Sequence, residues 1–371
     1  MKQNTIFFTG TLPKKGEAPF GGGEIGNLRT IRMLESFGYK VKIVRRRRSG
    51  VKDSWLKKRL AYPFKLLANN IEWFVTLLFG SRRNGLAHIS GFYGDTIYVE
   101  TLQVFIAKTL GYKIVYELRG GGATNYYEHG GKLYRKQFQY IVTSADYLLS
   151  QGKENEPLLR TLCSTPVFYY PNCVSQDFYP KELLAKPINC INLLFFGRIE
   201  TAKNPLMIVE TAGLLQKRFE NVKLTMIGNG QKDLLEQVRA KMEESLEENS
   251  FVLLPGREHD ELQAIMSDQH FYIFPSVQPR EGQSNAVTEV MSYGIIPIAS
   301  PQGFNRSTIG DDNLIVDSLT ADAYAGRIAS IVSNGEIMHY SEFVRKRFLE
   351  NYTEGVVFEN TRKEYEKMFN S

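Results

Sequence analysis

Short apolar runs rich in Ile, Val, Leu and Phe alternate along this chain with segments of helix length, the pattern of repeated βαβ units around parallel sheets. In the first unit Thr5–Thr9 predicts a strand, Glu24–Phe37 a helix with Leu28, Ile31 and Leu34 on one face, Gly38 its stop, and Tyr39–Val44 the next strand. Further strands are expected at His88–Ser90, Lys113–Leu118, Tyr147–Ser150 and Val167–Tyr170. The stretch Pro171–Pro187, with three prolines and no periodic apolar pattern, reads as a connection. Beyond it, strands at Asn192–Phe196, Lys223–Ile227, Phe251–Leu254, Phe271–Phe274 and Ile296–Ala299 alternate with helices at Pro205–Phe219, Lys232–Glu247, Asp260–Ser267 and Asn285–Tyr293, and residues 340–371 look helical.

A length of 371 residues exceeds one ordinary core and fits two. The expected fold class is α/β: two Rossmann-like, doubly wound domains, 1–175 and 176–350, with a C-terminal helix at 351–371 that packs back on the first. Ligands bind such domains at the carboxyl ends of their strands, so a cleft between the two is the expected site.

Composition adds little to this picture, but charge divides it. The chain is 43% hydrophobic and 23% charged, as folded globular proteins are, with no low-complexity bias. Its net charge of +6 hides 26 basic against 13 acidic residues up to residue 180 and 20 against 27 beyond it. The basic half favours an anionic partner. Cys163, Cys173 and Cys190 are odd in number and widely spaced, suggesting neither a disulfide framework nor a zinc site and fitting a reducing cytoplasm. The start of the chain lacks the longer apolar region of a signal peptide, and the greasiest stretch, Ile71–Phe79, is far shorter than the ~20 residues that span a bilayer.

Chemistry concentrates in EGQSNAVTEVMSYGIIPIAS, Glu281–Ser300, where a strand ending at Phe274 leads by a loop into a helix. Glu281 sits in the loop and Glu289 in the helix, so they do not form an i,i+4 surface pair. Carboxylates suit sugar hydroxyls, and the helix start at Gln283, Ser284 and Asn285 suits a phosphate or a hydroxyl. Taken alone, the two acids read as a capping group and a solvated group. A second block, FFGRIETAKNP, sets Arg198 just past a strand end and Lys203 before a helix beginning near Pro205. Two cations at a strand end suit a diphosphate, with the planar Arg fork on phosphate oxygens and Lys as a compact charge.

These stretches together resemble the GT4 family of retaining GT-B glycosyltransferases. The E-x7-E signature is supplied by Glu281 and Glu289, with Gly282, Gly294 and Pro297 in the family's order. The resemblance covers nearly all of residues 165–320 and is weak before them. It implies that Glu281 contacts the donor hexose and Glu289 the ribose, and that Arg198 and Lys203, following Gly197, bind the donor diphosphate. Gly228-Asn229-Gly230 is similar to the family's Gly-x-Gly. PGREHDEL, which contains Arg257, resembles the loop that meets the nucleotide base. PNCVSQDFYP resembles the linker, with Cys173 in place of a glycine. The implied donor is a UDP- or GDP-sugar and the implied acceptor a glycan or lipid-linked molecule. Transfer is expected to need no metal and no cofactor, since no Asp-x-Asp and no ligand cluster occurs.

The first domain offers less. Gly22 and Gly23 lie where backbone amides approach a ligand or where a turn merely bends. Gly21, Gly23 and Gly26 also spell G-x-G-x-x-G, but Arg45–Arg48 stand where an NAD fold wants an acid, which leaves an NADP oxidoreductase as a third reading after a non-catalytic scaffold of the same fold. In YELRGGG, Arg119 stands near the place where many family members carry a His, and its role is open among donor, acceptor phosphate and a neighbouring acid. Arg45–Phe79 predicts a helix bent or broken near Pro63, with nine basic residues up to Lys65 and one apolar face. Two readings fit it: a helix packed on its own domain, or a segment on an anionic membrane with Trp55 and Trp73 at the headgroups. The expected location is the cytoplasm, with peripheral attachment to the inner membrane face in the second reading. No nucleic-acid motif accompanies the charge.

Overall fold

A computed structural model of the chain describes residues 3–370 apart from 15, 18–20, 47–54, 93, 95 and 188, and not the side chains at 55–63 and 259. It divides into two units, one comprising residues up to Tyr170 together with those from Phe358, the other Pro171–Val357.

The strands of the first unit are β1 (Thr5–Thr11), β2 (Lys40–Arg46), β3 (Gly85–Phe92), β4 (Lys113–Arg119), β5 (Tyr147–Ser150) and β6 (Val167–Tyr169). They form one parallel sheet in the order β2-β1-β3-β4-β5-β6. Its helices are α1 (Gly22–Ser36), α2 (Trp55–Leu78), α3 (Ile97–Thr109), α4 (Ala123–His129), α5 (Lys132–Ser144) and α6 (Glu156–Leu162). Residues of α2, α3 and α5 share one core with β3 and β4, around Trp73, Val104, Tyr116 and Phe138. Central strands covered on both faces are buried along most of their length: six of the seven residues of β4 are buried, and the two charged ones among them, Glu117 and Arg119, pair with each other.

Helix α2 is unbroken at Pro63: a proline there loses one amide donor, but the turns on either side carry the helix on. The reading that puts Trp73 at the headgroups is corrected. Trp73 is fully buried and its indole N–H donates to the Gln103 carbonyl at 3.0 Å, so it is a core residue and stands at no headgroup. The side chain of Trp55 lies outside the described residues.

In the second unit β7 (Ile191–Phe196), β8 (Val222–Ile227), β9 (Phe251–Leu254), β10 (Phe271–Phe274) and β11 (Ile296–Ala299) form a parallel sheet in the order β11-β10-β7-β8-β9. Between and after them come α7 (Pro205–Gln216), α8 (Lys232–Ser245), α9 (His259–Met266), α10 (Asn285–Met291), α11 (Asn305–Ile309), α12 (Ala321–Ser333) and α13 (Ile337–Asn351). The last helix, α14 (Glu354–Asn370), begins in the second unit and from Phe358 belongs to the first. The chain order reverses between β7 and β10, which lie side by side. That makes their carboxyl ends the topological switch point, where open α/β sheets bind ligands.

Candidate active site

The loop leaving β7 and the loop leaving β10 meet at this switch point. After Gly197 and Arg198 the chain makes a single 3-10 turn, Thr201–Lys203, and Asn204 in the left-handed conformation (φ 49°) passes it into α7. Two hydrogen bonds pin that turn to the neighbouring loop: the Val277 amide donates to the Ala202 carbonyl at 2.8 Å, and Asn204 Nδ2 to the Pro275 carbonyl at 2.8 Å. The result is an ion pair between Lys203 Nζ and Glu281 Oε2. Glu281 Oε2 also accepts from Ser276 Oγ at 2.9 Å, and Lys203 Nζ lies 4.6 Å from the centre of the Phe274 ring.

Glu289 reaches the same region from α10. Tyr272 on β10 reports it: burial pushes this phenol well above the usual tyrosine range, and the charges of Glu281 and Glu289 push it further. Its hydroxyl keeps its proton and donates to the Phe196 carbonyl at 3.0 Å, tying β10 to the end of β7. Arg198 is mostly exposed, with Glu200 Oε2 at 3.6 Å from its guanidinium. A cavity of about 320 Å³ at the ends of β7, β8 and β9 brings together Gly197, Arg198, Gly228 and Arg257. Gly228 serves close approach there: a Cβ would stand 1.8 Å from the Gly197 carbonyl oxygen. Arg257 pairs with Glu261 at 3.2 Å on α9. A larger cavity, about 630 Å³ beside Lys186, Cys190 and His270, lies at the opposite, amino ends of the strands, away from the switch point.

The side chains of Gln283 and Asn285 both bond to Asn172. The Asn172 amide donates to Gln283 Oε1 at 2.6 Å, Asn172 Nδ2 donates to the Gln283 carbonyl at 3.2 Å and to Asn285 Oδ1 at 2.9 Å, and Gln283 Nε2 donates to the Asn172 carbonyl at 3.3 Å. Their side chains hold the start of this unit, while Gly282 and Ser284 stay half-buried in the loop itself. Gly303 supports that loop from beneath: at φ +67° a Cβ would lie 2.7 Å from the Glu281 carbonyl oxygen. Tyr272, Ser276, Asn204, Asn172 and Gly303 are thus site residues that pattern reading missed. The sequence signal for Ser276, Asn204, Asn172 and Gly303 is position, in the loops that follow strands, whereas Tyr272 lies inside β10 and reads there as an ordinary apolar strand residue.

Gly22, Gly23 and Arg119 belong to the first unit. Gly22 and Gly23 open α1, and Gly23 is packed on Phe92, whose ring a Cβ would meet at 2.7 Å. Arg119 is buried and ion-paired to Glu117, and it donates to Thr30 Oγ1 at 2.8 Å. A Cβ at Gly26 would lie 2.0 Å from its guanidinium. Two glycines of the G-x-G-x-x-G string therefore serve packing. Arg46, one of the cations that kept NADP open, is buried against Glu100 at 2.9 Å.

Residues 184–347, most of the second unit, match the family described as glycosyl transferases group 1. The chain carries a group 1 glycosyl transferase domain. Among curated proteins it is similar to a phosphatidylinositol N-acetylglucosaminyltransferase subunit of Arabidopsis thaliana, 23% identical over 242 residues, a match spanning 63% of this chain and 53% of that protein. The chain thus spans about half the length of this relative. Solved structures share the whole architecture. Sucrose-phosphate synthase from Thermosynechococcus elongatus superposes with a TM-score of 0.72 at 14% identity, covering 99% of this chain and 100% of that one. HepE of Anabaena, in complex with UDP, does so at 0.69 and 12% identity, each chain covered fully. The fold is accordingly GT-B, and the description of the matched family agrees with the glycosyltransferase expected from the glutamate and cation motifs.

Proposed function

We propose that this glycosyltransferase moves a hexose-type sugar, with retention at the anomeric carbon, from a UDP- or GDP-sugar to a glycan or lipid-linked acceptor in cell-surface polysaccharide synthesis. The observation that carries the reading is the meeting of Lys203 and Glu281 at the switch point, beside the cavity that holds Arg198. The names of two relatives add to it: one holds UDP, the other belongs to a phosphatidylinositol N-acetylglucosaminyltransferase. On this reading the pair parts over the donor, Glu281 turning to sugar hydroxyls and Lys203, with Arg198, to the diphosphate. Glu289 takes the ribose hydroxyls, and Gly282, Ser284 and the backbone of Gln283 line the sugar.

The leaving phosphate accepts the proton of the attacking acceptor hydroxyl, as the glycosidic bond to the donor breaks and the new one forms on the same face. Charge and positioning come from side chains, without a covalent nucleophile and without a metal. The acceptor is taken up by the first, basic unit, and the reaction runs at the cytoplasmic face of a membrane. Assaying purified protein on a panel of nucleotide sugars with membrane-extracted acceptors, with and without EDTA, tests this. Lys203→Ala and Glu281→Ala are expected to lower kcat by about 10²–10³, the usual loss for one transition-state charge partner. Full turnover in both variants overturns the reading, as does calorimetry in which the protein takes NADP and neither UDP nor GDP.

A further inference from the structure

Helices α2 and α3 pack together, with their inner sides in the core around Trp73 and Val104. Their outer sides are apolar as well. On α2, Phe64, Leu67, Ile71, Phe74 and Leu78 recur at three- and four-residue steps, and each leaves 42–74% of its surface open. A helix on a globular protein buries one such stripe and turns polar groups to water; α2 carries a stripe on each side. The neighbouring α3 repeats the arrangement with Tyr98, Leu102 and Phe105, all exposed, and Phe79 just past α2 is 81% open. Single exposed hydrophobics are ordinary, whereas a run of this length along two packed helices marks a surface that something covers.

Charge selects the occupant. From Trp55 to Arg83 the sequence holds six basic residues and one acid, Glu72. Lys57, Lys58 and Arg59 fall in the first turns of α2, and Arg82 and Arg83 stand exposed just beyond its end. The acid of α3, Glu100, is buried against Arg46 and Tyr116 and offers nothing outward. An apolar stripe with cations at both ends fits a surface that is apolar inside and anionic at its rim. A second copy of this chain would set like charges against each other.

We propose that the α2–α3 face docks on an anionic lipid bilayer, with α2 lying in the plane of the interface and its exposed stripe among the acyl chains. Among the described residues no helix is long and apolar enough to cross. The inference rests on the membrane location offered above, but not on the chemistry of transfer.

Co-sedimentation of the full-length protein with vesicles tests it. Vesicles of equal parts phosphatidylcholine and phosphatidylglycerol are expected to carry the protein down, vesicles of phosphatidylcholine alone to carry at least about tenfold less, and high salt to reduce the difference. The triple variant Leu67→Glu, Ile71→Glu, Phe74→Glu changes exposed positions only; it is expected to lose vesicle binding by about tenfold or more while its melting curve and its calorimetric UDP binding stay as in the parent. Arg82→Glu with Arg83→Glu is expected to abolish the preference for anionic lipid. No sedimentation with either vesicle, binding untouched by the three glutamates, or a dimer that Ile71→Glu dissociates would each overturn the proposal. Because UDP binding is read in the same samples, a failed lipid arm with intact UDP binding leaves the donor reading standing, and the reverse result leaves this one.

Discussion

Among single residues Asn172 carries the sharpest consequence. It is the second residue of the second unit, and its carboxamide N–H groups bond to the Gln283 carbonyl and Asn285 Oδ1 behind the loop that holds Glu281. Asn172→Ala removes both donors and leaves partly buried acceptors unpaired, a loss of about 1–3 kcal/mol. Since those bonds position the loop and touch no reacting atom, the expected result is a donor KM raised roughly tenfold, with kcat for bound donor changed far less. Asn172→Asp, which accepts but does not donate, should behave like the alanine variant. Steady-state kinetics on the donor decides it, and an unchanged KM in both variants sinks the positioning role. Residue types at this site are legible in the sequence: Glu281, Glu289, Arg198 and Lys203 stand out there, and the structure brings Lys203 onto Glu281 and places both acids near Tyr272. Partners are not. An amide near a helix start suits a ligand and another loop equally well, so nothing in the sequence directs Gln283 and Asn285 to Asn172.

At the scale of elements, strands are more legible than helices, and for a physical reason. β7 and β10 are buried along their whole length, so they stand out as apolar runs, interrupted in β7 by Asn192 alone. α3 escapes pattern reading because Tyr98, Leu102 and Phe105 are exposed opposite its buried residues, which erases the amphipathic period. The contacts that dock α14 cannot be read either, for they depend on a buried chain of polar groups. Tyr365 OH meets His88 Nδ1 at 2.6 Å, and His88 Nε2 meets Glu117 Oε2 at 3.0 Å. Burial opposes the charge of Glu117, but Arg119 and His88 outweigh it and hold the carboxyl below its ordinary value of 4.5. A carboxylate depressed on folding contributes stability that is complete above that value and is lost as pH falls below it. Urea melts of the first unit should therefore be insensitive to this group near neutrality and weaken progressively as pH drops from 4.5. Tyr365→Phe leaves His88 Nδ1 without its partner and should cost about 1–3 kcal/mol at neutral pH. A variant as stable as the parent would mean that the ring alone, and not the hydroxyl, docks the helix.

For the molecule as a whole, the chain path matters more than either unit's content. The chain leaves the first unit at Tyr170, completes the second, and returns at Phe358. The returning segment covers residues of the first unit that would otherwise meet water: Phe358 sits edge-on to Phe37, Phe369 lies 5.1 Å from the Tyr39 ring, and Lys113 Nζ donates to the Met368 carbonyl at 3.1 Å. Tyr365 and Met368 are fully buried there. The first unit is therefore built from both ends of the chain, whereas the second, Pro171–Val357, is continuous and contains every residue proposed to hold the donor. Removing residues 358–371 should then act unequally. Burial of one large side chain contributes about 1.5–3 kcal/mol, and at least Tyr365 and Met368 are lost together with the His88 contact, so the first unit should melt well below its normal temperature or not fold. The second unit should keep its own transition and its UDP affinity. Scanning calorimetry of the shortened chain, with UDP titrated into the same sample, reads both. A shortened protein that melts like the parent would show that the last helix is a covering and no part of the first unit's core, and lost UDP binding would show that the donor site needs the first unit folded.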